Sequence, residues 1–163
     1  MKPSGIGGWL ILPAIGLIVT PVMLLVSLFR DLLPAFSPDV WQVLTDSGSE
    51  SYHPMWSVTL IYELVANLSL LVFTLWLGHL FVQKSWRAPS AFISWLLINI
   101  AVQVVDLLLL LSVPAVRDSA PEVAGGIARS VLQAAIWIPY FLRSERVRNT
   151  FTTHVPEAVA VAP

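Results

Sequence analysis

Four long apolar stretches, separated by short polar segments, make up most of this 163-residue chain. Each stretch has about 20 residues or more, which is the length that an α-helix needs to cross the hydrocarbon core of a bilayer. The predicted spans cover residues 9–29, 55–82, 90–113 and 122–142. The pattern therefore predicts an all-α integral membrane protein, a four-transmembrane-helix bundle that forms a single domain over residues 1–151.

The polar segments add a short helix and a tail to this prediction. Between spans one and two, Ser37 and Pro38 are typical of a helix start, with Ser37 as the cap and Pro38 in the first turn. Four apolar residues that follow predict a short interfacial helix on the membrane surface: Val40, Trp41, Val43 and Leu44. Residues 152–163 are small, and we expect them to form a disordered cytoplasmic tail.

The composition agrees with a membrane protein and argues against several kinds of site. Charged residues make up 12% of the chain, against about 25% in soluble domains, and the mean hydropathy is +0.78. A net charge of -1 gives no field that would attract nucleic acid. The chain has no cysteine, and its three histidines lack ligand spacing, so we expect neither a metal nor a cofactor. No nucleophile elbow or glycine-rich phosphate loop is present, which argues against an enzyme.

The distribution of lysine and arginine predicts the orientation. With a cytoplasmic N-terminus, six of the nine cations lie on the cytoplasmic side, two lie outside, and Arg129 lies within the membrane. The positive-inside rule therefore favours a cytoplasmic location for both termini. Arg143, Arg146 and Arg148 form a cytoplasmic basic tail, which either enforces this topology or attracts anionic lipid.

Three ionisable residues, Glu63, Asp106 and Arg129, lie within the predicted spans. Charged groups are costly at this depth, so each needs a partner or a function. The direction of each span and a rise of about 1.5 Å per residue place all three at similar depth, in the outer half. Amides three or four residues away share the same helix faces. The predicted buried polar layer comprises Glu63, Asn67, Asn99, Gln103, Asp106, Arg129 and Gln133.

This polar layer has two interpretations. In the structural one, Arg129 pairs with one or both acids, and the amides complete a network that fixes the register of the helices. In the functional one, an intramembrane carboxylate acts as a proton or ion relay, or anchors a polar ligand. Two acids against one base leave one acid in excess, and burial beside a like charge favours its protonated form. A network that uses all three charges favours the structural interpretation, but a protonated acid fits both.

A stripe of small residues runs along span four. Gly126, Ser130 and Ala134 recur every four residues, and small side chains at this spacing let another helix approach closely. The stripe therefore predicts a helix-packing face, either within the bundle or between two copies of the chain.

Four segments of the chain resemble a known bacterial family. They are GIGGWLILPAIGLIVTP at residues 5–21, YHPMW at residues 52–56, the Glu63 and Asn67 pair, and WIPYFLRSERVRNTF at residues 137–151. These segments are similar to the small membrane proteins known as the domain of unknown function 2569 family, and the resemblance covers nearly the whole chain. It implies a four-helix protein of the bacterial inner membrane. It implies no activity and assigns no functional residues.

Two functional hypotheses follow. The first is a small accessory or interaction protein, whose buried charges hold the bundle together or contact the helix of a partner. The second is a proton-linked small transporter or channel, or a protein that binds a polar or lipid ligand beside Glu63. An acid/base pair of Glu63 and Asp106 is the remaining route to an enzyme. The expected partners are the lipid bilayer and either another membrane protein or a second copy of the chain.

Overall fold

The fold is entirely helical in residues 3–153, the part of the chain that the computed structural model describes, and no strand occurs there. Four long helices match the predicted spans to within two residues at every boundary, and two short helices accompany them. In chain order the helices are α1 (Ile11–Ser27), α2 (Pro38–Thr45), α3 (Met55–Val82), α4 (Ala88–Ser112), α5 (Ala120–Arg143) and α6 (Glu145–Thr150).

Three helical segments are long and apolar enough to cross a membrane. They are Gly8–Phe36, which contains α1, Met55–Val82, which is α3, and Ala88–Ser112, which is α4. This finding confirms the prediction of an all-helical protein with helices suited to a bilayer. The 24 residues of α5 are long enough to span, but Arg129 and Gln133 lower its hydropathy. Hydropathy alone therefore does not identify α5 as a fourth span, and that assignment depends on how α5 packs in the bundle.

Prolines mark the starts of several helices. Pro38, Pro89 and Pro121 lie in the first turns of α2, α4 and α5, where a helix does not need the missing N–H group. Ser37 occupies the N-cap position of α2, but its hydroxyl donates to the Pro34 carbonyl oxygen at 2.8 Å and makes no cap bond. The predicted N-cap position of Ser37 is therefore confirmed, but its hydroxyl bonds elsewhere, because a 3-10 turn before α2 brings the Pro34 carbonyl within reach.

One end of the bundle, here called the α2 end, is formed by residues 28–54 and the Pro114–Ser119 turn. The chain leaves α1 through a π-helical turn, Leu28–Leu32, and a 3-10 turn, Leu33–Phe36. Leu28 and Leu32 are buried there in a small apolar cluster. The predicted short helix is present as α2, and this cluster ties it to the start of α3.

The opposite end, here called the terminal end, is formed by residues 3–8, 83–87 and 144–153. The Arg146 side chain donates from Nη1 to the Ser4 carbonyl oxygen at 3.3 Å. The backbone of Thr153 pairs with that of Lys84 and Trp86, with N···O distances of 3.1 Å in both bonds. The N-terminal segment, the α3–α4 connection and the C-terminal segment therefore meet at one end of the bundle.

The segment after Arg143 is not the simple water-facing tail that the sequence predicts. Arg143 and Arg148 are exposed, but α6 folds back so that Val147 and Phe151 are only 1% and 5% exposed. The ring of Phe151 meets that of Phe81 edge-on, with 4.8 Å between centroids. Most of the predicted disordered tail, residues 154–163, lies outside the described residues.

The main core fills the terminal half of the bundle. α1 packs on α3, α3 on α4, and α4 on α5. Leu77, Phe81, Phe92 and Phe141 are buried where the last three of these helices meet, and Phe92 stacks on Phe141 with 4.4 Å between ring centroids. Because apolar side chains occupy this half, the polar side chains of α3 and α4 gather towards the α2 end.

Candidate functional site

A cavity of about 340 Å³ lies towards the α2 end, between the end of α1, α3 and α4. Its apolar wall includes Leu60 and Leu70 of α3 and Val102 of α4. Seven polar residues complete the lining: Ser27, Asp31, Tyr62, Glu63, Asn67, Gln103 and Asp106. Three of these seven carry a carboxylate, so the cavity is acidic.

Two of the predicted polar stripes converge on this cavity. Glu63 and Asn67 lie four residues apart on α3, and Gln103 and Asp106 lie three residues apart on α4. Such spacings bring side chains to one face of a helix, and the antiparallel packing of α3 on α4 turns the two faces towards each other. The geometry therefore assembles four of the seven residues of the predicted polar layer around one space.

Asp31 is a third acid at the cavity that sequence reasoning missed. The apolar pattern ends just before it, so the sequence places it in the loop after span one. In the structure, the π-helical turn Leu28–Leu32 carries the helix onwards, and Asp31 lines the cavity with Ser27, one turn earlier. Single π-helical turns are frequent at functional sites. The four-residue spacing from Ser27 to Asp31 is the signal that could have indicated it.

Two buried oxygen atoms in this cavity have no hydrogen-bond partner among the described residues. They are Oδ1 of Asn67 and Oδ1 of Asp106, and both are acceptors. A buried polar atom without a partner costs about 1–3 kcal/mol. Tyr62, by contrast, has a partner, because its hydroxyl donates to the Val102 carbonyl oxygen at 2.9 Å and joins α3 to α4. Two residues of the cavity wall therefore carry an acceptor that has no hydrogen-bond donor.

A separate amide network occupies the contact between α4 and α5. Gln103 donates from Nε2 to the Ser130 hydroxyl at 2.8 Å and to the Asn99 side-chain oxygen. Asn99 therefore joins the polar layer through Gln103 and does not line the cavity. Gln103 contributes to both sites, since its side chain lies between the cavity and α5.

Arg129 and Gln133 do not join the acids. Among residues 3–153 the only ion pair within 4.0 Å joins Arg30 to Asp31, at 3.9 Å on the surface, so the predicted pairing of Arg129 with Glu63 or Asp106 is not seen. Ser130 faces α4, and consecutive residues are about 100° apart around a helix of 3.6 residues per turn. Arg129 is consequently exposed, and Gln133 lines a different groove, next to α1.

The stripe of small residues on α5 faces α4. A Cβ atom added to Gly126 would lie 3.4 Å from Oε1 of Gln103, and Ser130 accepts the bond from the same side chain. Ala134 lies two turns after Gly126 along α5, is 6% exposed and belongs to the main core. The three small residues therefore allow α4 and α5 to pack closely.

The arrangement around the cavity is suited to binding a hydrogen-bond donor with positive charge. Carboxylates accept charge-assisted bonds, which are shorter and stronger than neutral ones. In the described residues, no three His, Cys, Asp or Glu side chains lie close enough together to hold a metal ion. The three acids therefore do not form a chelating cluster. Glu63 and Asp106 line the cavity as acceptors, whereas the Asp31 side chain is 64% exposed and lies 3.9 Å from Arg30.

Comparison with known proteins places the chain in a family. A family described as "Protein of unknown function (DUF2569)" matches residues 3–152. The chain is also similar to "Inner membrane protein YdgK" of Escherichia coli strain K12, with 30% identity over 152 residues that cover 91% of this chain and 94% of the relative. No solved structure matches the chain. The match over nearly its whole length shows that the chain belongs to the DUF2569 family.

Proposed function

We propose that the protein binds a small cationic ligand that donates hydrogen bonds, such as a primary amine, in the acidic cavity at the α2 end. The observation that carries this proposal is the pair of buried, unpartnered acceptors on Asn67 and Asp106, in a cavity that Glu63 and Asp31 also line. An ammonium group has three donors and no acceptor. It would donate to both oxygens once their side chains turn towards the cavity, and it would offset the charge of the acids.

The size and position of the cavity favour binding over conduction. A volume of about 340 Å³ is at the lower end of the range of small-molecule sites, which is about 300–1,000 Å³. Between the cavity and the terminal end, Thr74 and Leu77 of α3 are fully buried, and the main core fills the rest of that half. A ligand that enters at the α2 end thus meets packed side chains instead of a path across the bundle.

We also propose that α5 is a fourth span and that both termini are cytoplasmic, in the inner membrane of a bacterium. The 24 residues of α5 extend about 36 Å. This helix packs along α4, which is itself apolar enough to span a membrane. The terminal end carries Lys84, Arg87 and the basic residues after α5, so the positive-inside rule favours the cytoplasm for that end. The inner-membrane location of the Escherichia coli relative supports the same assignment.

The two hypotheses from the sequence now differ in support. The structural interpretation of the polar layer relied on Arg129 as the counter-charge, and Arg129 forms no ion pair within residues 3–153. An accessory role and a proton-linked transport role both stay predictions. Ligand binding beside Glu63 gains support, since Glu63, Asn67 and Asp106 share one cavity.

The test is the thermal unfolding of the purified protein in detergent with ethanolamine or putrescine, against sodium chloride at matched ionic strength. A ligand that binds only the folded state stabilises it by about 2.7 kcal/mol at 100 times its Kd. We therefore expect a saturable rise in Tm with at least one amine. The Asp106→Asn variant, which keeps the shape of the side chain and removes its charge, should weaken this binding at least tenfold.

The matched control is Asp118→Asn, which removes an exposed acid at the same end of the bundle, outside the cavity. It should bind as the wild type does. If no amine raises Tm beyond the salt control, or if the two variants bind equally well, the proposed function is wrong.

A further inference from the structure

We propose that the groove between α1 and α5 binds an anionic phospholipid, with the lipid phosphate on Arg129 and an acyl chain along the groove. This site is separate from the acidic cavity and does not depend on the function proposed for it. None of its lining residues lines that cavity.

Arg129 is a cation that the bundle leaves without a counter-charge. It is exposed on α5, about 14 Å along the helix from its start at Ala120. No carboxylate within residues 3–153 lies within 4.0 Å of it. Charge at bilayer depth is costly and is almost always paired, so Arg129 needs an anion from outside the described part of the chain.

A groove of about 300 Å³ begins one turn further along the same face of α5. Gln133 and Trp137 form its α5 wall, Trp95 of α4 forms its floor, and Gly16 and Thr20 of α1 form the facing wall. No atom lies within 4 Å of the position that a Cβ on Gly16 would take. The groove is therefore open at Gly16, and most of the residues that line it have apolar side chains, which an acyl chain can contact.

The direction of the arginine side chain connects the cation with the groove. Long side chains on a helix point towards its N-terminus, which for α5 is the α2 end. The guanidinium of Arg129 thus reaches towards the membrane surface at that end. Gln133 and Trp137 lie further along α5, towards the terminal end. A phospholipid has this layout, with a phosphate at the surface and chains that descend from it. The planar donor fork of arginine matches the oxygens of a phosphate.

The test is lipid retention by the purified protein, measured by native mass spectrometry after incorporation into nanodiscs of phosphatidylcholine and phosphatidylglycerol in equal amounts. We expect the wild type to retain phosphatidylglycerol in at least tenfold preference to phosphatidylcholine. Arg129→Gln should abolish this preference. Gly16→Leu should reduce retention of both lipids, because its side chain would occupy the groove.

The matched control is Arg117→Gln, which removes an exposed cation at the α2 end, outside the groove, and should keep the preference of the wild type. Equal retention of phosphatidylglycerol by the wild type and Arg129→Gln would overturn the proposal. The proposal would also be overturned if the wild type forms a dimer, the Arg129→Gln variant is a monomer, and both retain the same lipid. Arg129 would then pair with a carboxylate of the second copy. Unchanged retention in Gly16→Leu would overturn the placement of the acyl chain.

Discussion

Asp106 is the residue whose environment best separates a structural role from a binding role. Its Oδ1 atom is buried without a partner, so the carboxylate lowers the stability of the protein unless a ligand supplies a donor. A leucine is larger than the aspartate, but the adjoining cavity has room for it, and it would remove the unpaired oxygen. We expect Asp106→Leu to raise the free energy of unfolding in detergent by about 1–3 kcal/mol and to abolish amine binding.

The comparison for this variant is Val105→Leu, a change at the neighbouring position, which is 40% exposed. It should alter stability by no more than about 0.5 kcal/mol. Chemical or thermal unfolding of both variants provides the measurement. A clear loss of stability in Asp106→Leu would mean that the carboxylate forms a stabilising contact, as the structural interpretation of the polar layer requires.

At the scale of elements, the contact between α4 and α5 decides whether the weakly apolar α5 is held in the bundle. This contact depends on Gly126, where an added Cβ would lie 3.4 Å from Gln103 Oε1. A larger side chain there would push the helices apart and break the Gln103–Ser130 bond. We expect Gly126→Leu to lower the free energy of unfolding by about 1–3 kcal/mol, the usual cost of overpacking.

The adjacent glycine offers a control with the same change in composition. An added Cβ at Gly125 would meet no atom within 4 Å, so Gly125→Leu should cost much less than Gly126→Leu. Thermal unfolding in one detergent compares the pair. Equal losses for the two variants would indicate that leucine perturbs α5 itself and that close packing on α4 is not the cause.

For the whole molecule, the testable property is which end of the bundle faces the cytoplasm. The contacts among residues 3–8, 83–87 and 144–153 place the two basic segments, 83–87 and 144–153, at one end, and the positive-inside rule then orients the protein. An alkaline phosphatase fused after Thr153 should be inactive, because this enzyme needs the periplasm to form its disulfides. The same enzyme inserted after Gly48, at the α2 end, should be active.

A fluorescent-protein fusion after Thr153, which folds in the cytoplasm, checks that the C-terminal fusions are made. High phosphatase activity after Thr153 would overturn the proposed orientation. Activity at both positions would instead overturn the fourth span, since the two sites would then lie on the same side of the membrane.

Much of the fold could be predicted because the helices follow local rules. The ends of α3 match the prediction, since the apolar run is bounded by polar turns at both sides. The docking of α6 could not be predicted, because Val147 and Phe151 are two apolar residues in a basic segment, and their burial depends on Phe81, far away along the chain. The hydrogen bond of the Ser37 hydroxyl could not be predicted for a related reason, since the preceding turn decides which carbonyl the hydroxyl reaches.

The sequence by itself determined the helical class, the span lengths and the polar stripes on α3 and α4, because hydropathy and helical spacing are local properties. Only the tertiary structure decided which stripes meet. The π-helical turn places Asp31 at the cavity that Glu63 and Asp106 line. Arg129 is exposed and does not contact these acids. The rotation of α5 about its axis is set by the small residues that contact α4. The sequence can therefore give the depth of a charged residue along a helix. The neighbour that its side chain faces depends on how the helix packs.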